Sequence, residues 1–315
     1  MLFSILIANF NNSRFLEEAI AGVYRQTAHE WEIVLVDDAS TDNFSEVIIP
    51  FSNDPKIRIF RNRHNNGCGF TKRRCAELAK GDLMGFLDPD DSLHPDAIRV
   101  MVDAHKQMPD CSLISSTHFI CDENLNIIRL AGYTMALPEN TPYLLLNDGR
   151  VHAFATFKRL QYIQTGGIDA ANKKAVDQDL YYKLEETGSL FYIHTPLYYY
   201  RMHSGSISNN GNERAATLSH YRIAEQACLR RIKKLKQSST AENKTWIRKY
   251  RCRLYKLRIF RSGRQRKFLL LVTSLFAYAV SGGLENIIDY IGKLPSQGAR
   301  LLRKTFVTDY TIDRS

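Results

Sequence analysis

Three mostly apolar runs, at residues 2–8, 31–36 and 83–87, each stop at Asn or Asp side chains. Asn9-Phe10-Asn11 follows the first, Asp37-Asp38 the second and Asp88-Pro89-Asp90-Asp91 the third. Short apolar runs closed by polar turns read as buried strands. The sequence between them predicts helices over 14–26, from the Ser40-Thr41-Asp42 cap through residue 49, and over 70–80, with a further strand at 56–60. Strands that alternate with helices imply a mostly parallel, Rossmann-like sheet with helices flanking both faces. In such α/β sheets ligands bind beyond the carboxyl ends of the strands. All three polar groups therefore open on one crevice, which reads as a site for a nucleotide, its phosphates and a metal.

Asp88, Asp90 and Asp91 lie within four residues. Carboxylates that close repel one another unless a cation sits among them. Carboxylate oxygens suit Mg²⁺ or Mn²⁺, and Mg²⁺ is commonly held by one or two carboxylates together with substrate phosphates. The competing reading is an acidic turn, with Asp91 or Ser92 capping a helix that starts near His94-Pro95.

Downstream of the strand at 56–60, Gly67-Cys68-Gly69 opens a helix whose first turns carry Lys72, Arg73 and Arg74. It can cradle a diphosphate, or it can be a tight turn before a solvated basic face. Beyond residue 111 the pattern is less regular, with apolar runs at 112–116 and 127–130 and a short helix over 142–147. Val176-Asp177-Gln178-Asp179 enters another helix, where the acids serve either as a cap or as a general base. Strand-like segments at 191–194 and 197–201 lead into the polar loop 202–208, which contains His203 and is able to close on a phosphate.

The charge is divided unevenly along the 315 residues. Residues 1–213 hold 20 Lys and Arg against 27 acids, whereas 214–315 hold 23 against 6. A boundary near 214 follows, giving a catalytic domain over 1–213 and a basic helical region over 214–315. Residues 244–267 contain eleven cations and no acid, with Trp246, Tyr250, Leu254 and Leu257 at helical spacing. Residues 268–280 are mostly apolar but too short to span a bilayer of roughly 30 Å. Three readings compete for 244–280: attachment to an anionic membrane surface, a packed tail with a solvated face, and nucleic-acid binding. No nucleic-acid motif is visible, so nucleic acid is not the expected partner. Six cysteines without metal-ligand spacing read as free thiols, and the first segment lacks a charged leader, which points to the cytoplasm.

Taken in order, these motifs resemble glycosyltransferase family 2, inverting enzymes of GT-A fold, over roughly residues 2–208. The stretch Ser4-Ile5-Leu6-Ile7-Ala8-Asn9-Phe10-Asn11 is similar to the strand and loop that hold base and ribose, which implies contacts from Ala8, Phe10 and Asn11. Val36-Asp37-Asp38-Ala39-Ser40-Thr41-Asp42 resembles the stretch whose acids, here Asp37 and Asp38, contact the base. Asp88-Pro89-Asp90-Asp91 resembles the family's DxD motif, implying Asp90 and Asp91 as metal ligands and Asp88 on the ribose or a water of the metal. Lys72 stands where the family often has the arginine of an ARN sequence, so it inherits the diphosphate. Gly166-Gly167-Ile168-Asp169, Asp177-Gln178-Asp179-Leu180 and Tyr200-Arg201-Met202-His203 follow the order of the family's remaining motifs.

The resemblance implies Asp177 as general base, Asp179 as an orienting residue and His203 as a group closing over phosphates or metal. Val176 replaces the usual Glu without removing the base. The expected activity is metal-dependent inverting transfer, with Mn²⁺ or Mg²⁺, from a nucleotide-diphospho-sugar, most simply a UDP-sugar. Its acceptor would be a hydroxyl of a saccharide or lipid-linked saccharide, in surface polysaccharide synthesis. A sugar-phosphate nucleotidyltransferase could use similar carboxylates, but it leaves the Asp177 and His203 motifs without a purpose.

Overall fold

The apolar runs become largely buried strands. β1 (Phe3–Asn9), β2 (Trp31–Asp37), β3 (Ile57–Arg61) and β4 (Leu83–Phe86) lie side by side in parallel, in the order β3-β2-β1-β4. Helices α1 (Ser13–Tyr24), the single turn α2 (Phe44–Val47) and α3 (Cys68–Leu78) connect them. The computed structural model describes residues 1–146, 149–203, 213–265 and 267–282. Along α1, Phe15, Leu16, Ala19, Ile20 and Val23 are buried, a stripe of helical period that packs into the same core as Ile5, Ile33 and Leu35. Burying each such Leu or Ile contributes about 1.5–3 kcal/mol. The helix expected through residue 49 stops after one turn and becomes a 3₁₀ turn at Ile49–Phe51. Pro50 explains the break, because it has no N–H to continue the ladder.

The sheet continues past β4 in mixed orientation, so the parallel part is the first half only. Across it the order runs β4-β8-β6-β9-β5, with β7 on the side of β6. The strands are β5 (Ser92–Leu93), β6 (Cys111–Cys121), β7 (Ile127–Leu130), β8 (Ala155–Lys158) and β9 (Ser189–Arg201). β8 is antiparallel to β4 and to β6, whereas β6 and β9 are parallel. The two segments expected at 191–194 and 197–201 are one strand. Its register shifts where Thr117 faces Pro196, which has no N–H to give the ladder. Helices α4 (Ala97–Gln107), α5 (Arg159–Gln164) and α6 (Val176–Leu184) complete this part. The helix expected over 142–147 is a 3₁₀ turn at Tyr143–Leu145.

The chain divides into two compact units after Glu213. The second contains α7 (Glu213–Leu235), α8 (Ala241–Gln265) and α9 (Phe268–Gly282). Between α7 and α8, Glu225 pairs with Arg261 at 2.9 Å, and Arg231 donates to the Tyr250 hydroxyl at 3.1 Å. Tyr250, Leu254 and Leu257 are buried together with Arg253, and Trp246 is half-buried, so most of the apolar stripe read in 244–267 is packed inside protein, while Lys244, Arg248, Lys249, Arg251 and Lys256 are exposed. Among the described residues no helix is long and apolar enough to cross a membrane.

Candidate active site

The register of β1 against β2 pairs Asn9 with Asp37, so both strand ends reach the same edge. Asp37 is buried and accepts hydrogen bonds from Asn9 Nδ2 at 2.9 Å and from the Ser40 N–H at 3.0 Å, with Arg61 Nε 3.3 Å away. Asp38 is equally enclosed. It accepts from Asn62 Nδ2 at 2.6 Å and from the N–H groups of Asn66 and Gly67 at 3.0 and 2.8 Å. These two carboxylates hold the loops after β2 and before α3 in shape. Asn11 adopts a left-handed conformation (φ 49°), and its side-chain oxygen accepts from the Thr41 N–H at 2.8 Å. Phe10 is exposed beside it and Ala8 is half-buried, so the surface that these loops present at the edge is carried by Phe10 and Asn11.

At the end of β4 the acidic cluster separates into three environments. Asp91 is buried, with Oδ2 accepting from the Tyr198 hydroxyl and Oδ1 from the Arg201 N–H, each at 2.7 Å. Burial and the charges of Asp90 and Asp88 push its carboxyl well above the usual range, against those two donors. Expected as a metal ligand, Asp91 has both oxygens committed to protein donors. Asp90 instead meets His203, with Nε2 2.9 Å from Oδ2, while the ring packs on Phe15 at 4.9 Å. Arg14 donates to His203 Nδ1 at 3.3 Å, which leaves the ring proton on Nε2, facing Asp90. The rest of the loop expected to close on a phosphate, 204–208, lies outside the described residues.

No group of three or more His, Cys, Asp or Glu side chains converges among the described residues. A divalent ion that takes its remaining ligands from a diphosphate and water needs no such cage. The Asp90 carboxylate, braced by the His203 Nε2–H at one oxygen, fits Mn²⁺ or Mg²⁺ by donor type through the other.

Lys72 joins the acidic cluster to the candidate base. Its ammonium lies 2.9 Å from Asp177 Oδ1 and 3.3 Å from Asp88 Oδ1, above the ring of Phe86. Burial alone would lower its pKa; Asp177 and Asp88 outweigh that and hold it well above the ordinary lysine value. Arg73 and Arg74 are spent on protein: Arg73 on Glu77 and the Ile168 carbonyl, Arg74 on Asn62 and the Arg61 carbonyl.

Asp177 sits in the first turn of α6, entered through a left-handed Ala175 (φ 56°). Its Oδ2 has no protein partner among the described residues, and the side chain is 44 % exposed. An acid there gains from the helix dipole and still keeps a free acceptor oxygen. Asp179 is buried against Lys183 at 2.7 Å. Gly69 has a structural reason that its motif did not reveal: a Cβ would lie 2.2 Å from the Asn172 carbonyl oxygen, which accepts from the Gly69 N–H at 3.0 Å. The glycine lets the loop leading to α6 close on the start of α3, which places Asp177 over Lys72.

Two supports are not apparent from spacing. Arg201 is buried at the end of β9 and donates to the Asp90 and Glu123 carbonyls and to Glu18 Oε2. Tyr198, three residues earlier on β9, donates its hydroxyl to Asp91. A lone arginine closing an aromatic strand was the available signal for the first.

The family model for Glycosyl transferase family 2 matches residues 4–162. Among curated proteins, chondroitin synthase of Escherichia coli is 28% identical over 251 residues, covering 79% of this chain and 36% of that protein. Hyaluronan synthase of Pasteurella multocida is 27% identical over 208 residues, 66% of this chain and 21% of its own. The chain thus spans between about a fifth and about a third of these relatives. In three dimensions it resembles S. aureus TarS 1-349, with a TM-score of 0.64 at 14% identity over 95% of this chain and 92% of that one. A mannosyltransferase of Pyrobaculum calidifontis superimposes with a TM-score of 0.55 at 15% identity, covering 95% of this chain and 79% of that one. The mixed α/β sheet is that of the GT-A transferases. The chain belongs to glycosyltransferase family 2.

Proposed function

We propose that the chain transfers a sugar from a nucleoside-diphosphate donor, with UDP as the nucleotide, to a hydroxyl of a saccharide or lipid-linked saccharide, inverting the anomeric centre. The observation that carries this reading is the Asp88–Lys72–Asp177 array, a buried cation between two carboxylates at the rim of the strand-end crevice. TarS has been seen with UDP-GlcNAc and with UDP, and the mannosyltransferase with GDP-Man and Mn²⁺, which supports this donor class. The surface of Phe10 and Asn11, on loops that the buried Asp37 and Asp38 hold in shape, suits the base, and Asp88 the ribose.

Asp177 Oδ2 accepts the acceptor's hydroxyl proton as that oxygen bonds to the anomeric carbon from the far face. The bond from that carbon to the β-phosphate oxygen breaks, and the electron pair leaves on the diphosphate. Lys72 lies where it can share its charge with the leaving group as readily as with Asp177. Asp90 would hold a divalent cation, with His203 bracing its carboxylate; the chemistry of that cation is to neutralise charge on the diphosphate.

Incubating the full chain with a panel of UDP- and GDP-sugars and Mn²⁺ or Mg²⁺ is expected to release nucleoside diphosphate from one donor, and Asp90→Ala should abolish the release. Pyrophosphate as the product would instead make it a nucleotidyltransferase. Failure of any nucleoside diphosphate to bind would overturn the transferase reading.

The second unit supports peripheral attachment to the anionic, cytoplasmic face of a membrane, where a lipid-linked acceptor would reside. On α9, Phe268, Leu269, Val272, Phe276 and Val280 are exposed at a spacing of three to four residues, adjoining the cation-rich 244–267 segment. A 15-residue helix is about 22 Å long, which suits lying in an interface better than spanning it. Sedimentation with phosphatidylglycerol vesicles should show binding that weakens with salt and falls on Lys/Arg→Gln changes across 244–267 or on Phe268→Ser with Phe276→Ser. Absence of binding at low salt would exclude attachment.

A further inference from the structure

Beside the array described above lies a group of rings with no role in it. His118 on β6 is buried and shares a hydrogen bond of 2.9 Å with the Tyr133 hydroxyl through Nε2. His152, just ahead of β8, stacks on His118 with ring centres 5.0 Å apart. Tyr133 and Tyr200 meet the His152 ring edge-on at 5.5 and 5.9 Å. Its Nδ1 is sealed from solvent without a partner, and the residue as a whole is only half-buried. A ligand therefore meets the ring through Nε2, which is not among the sealed atoms.

Its position ties this group to the transfer centre. The register of β8 against β4 pairs Thr156 with Gly85, so the residues preceding β8 run alongside the end of β4, where Asp88 lies. His152 also feels the charges of both Asp177 and Lys72. Burial, and then the neighbouring ring, lower the His118 pKa to about 3; burial is also the main cause lowering that of His152. A neutral imidazole offers one donor and one acceptor. With Nδ1 sealed, Nε2 serves as the donor or the acceptor and a hydroxyl matches either, while a neutral ring gives no charge to attract a phosphate or carboxylate. Aromatic faces around it suit the C–H surface of a pyranose ring.

We infer that His152, oriented by stacking on the His118–Tyr133 pair, contacts a pyranose hydroxyl at the transfer centre and helps set which sugar is accepted. The inference rests on the transferase reading and adds a contact to it. The sugar belongs either to the donor or to the acceptor, and binding measurements separate them.

Dissociation constants of the full-length wild type, His152→Ala and His152→Gln should be measured for UDP, UDP-glucose, UDP-GlcNAc and UDP-glucuronate with Mn²⁺. Unchanged thermal midpoints would show that the variants fold. For a donor contact, His152→Ala weakens the preferred UDP-sugar about tenfold while UDP itself is unaffected. His152→Gln, which keeps an amide near Nε2, recovers part of the loss. For an acceptor contact the UDP-sugar to UDP ratio stays constant, and KM for a p-nitrophenyl glycoside acceptor rises by about the same factor. Unchanged donor affinity and unchanged acceptor KM, or a loss of UDP affinity equal to that of the UDP-sugar, would overturn the inference. Wild-type protein that binds no nucleotide would instead sink the transferase reading itself.

Discussion

Replacing Asp177 with Asn is expected to lower glycosyl transfer about 10²- to 10⁴-fold while leaving UDP affinity within about twofold. The amide keeps the size of the carboxylate but accepts no proton, and the free Oδ2 is where the acceptor proton would go. Lys72 loses one of its two carboxylate partners and keeps Asp88 at 3.3 Å, so its ammonium remains compensated and the donor side of the crevice retains its charge. Transfer measured at saturating donor, beside calorimetric binding of UDP, separates the two effects. If UDP affinity falls as far as transfer, Asp177 serves as a brace for Lys72 and the base lies elsewhere. Asp177→Glu should retain more activity than Asn, because the carboxylate survives at a displaced position.

Strand ends are legible in the sequence: an apolar run that stops at Asn or Asp marks both the strand and the edge it reaches. That logic placed Asn9, Asp37, Asp38 and Asp88 together, and the structure puts them at the ends of adjacent strands. Division of labour within a cluster was not legible. Asp90 and Asp91 are chemically identical neighbours, and only the arrival of β9, more than a hundred residues later, separates them by giving Tyr198 and the Arg201 N–H to one and leaving the other to His203. Long-range contacts of this kind leave no local spacing. The same holds for Gly69, whose glycine character answers the Asn172 carbonyl. In α8, helical spacing correctly marked an apolar stripe at Tyr250, Leu254 and Leu257, yet spacing alone does not say what covers it.

Arg201→Met is expected to destabilise the first unit by roughly 3–5 kcal/mol. The guanidinium is buried over Phe15 at 4.4 Å, and it satisfies two backbone carbonyls, those of Asp90 and Glu123, that a methionine cannot reach with a donor. Each carbonyl left unpaired costs about 1–3 kcal/mol. Glu18 adds less, because its side chain is 45% exposed and regains water when the 2.6 Å pair is lost. For a unit of this size the loss corresponds to a fall in thermal midpoint of roughly 6–20 °C. The two tryptophans allow the unit to be followed separately: Trp31 is buried in β2, and a Trp246→Phe background silences the second unit. Arg201→Lys should recover little, since one ammonium cannot reproduce a planar fork directed at two carbonyls and a carboxylate. Below the midpoint, weakened metal-dependent nucleotide binding is expected as well, because the Asp90 backbone that Arg201 fixes carries the side chain facing His203. An unchanged Trp31 transition would mean that the carbonyls find other donors and that the loop is held from the Asp91 side alone.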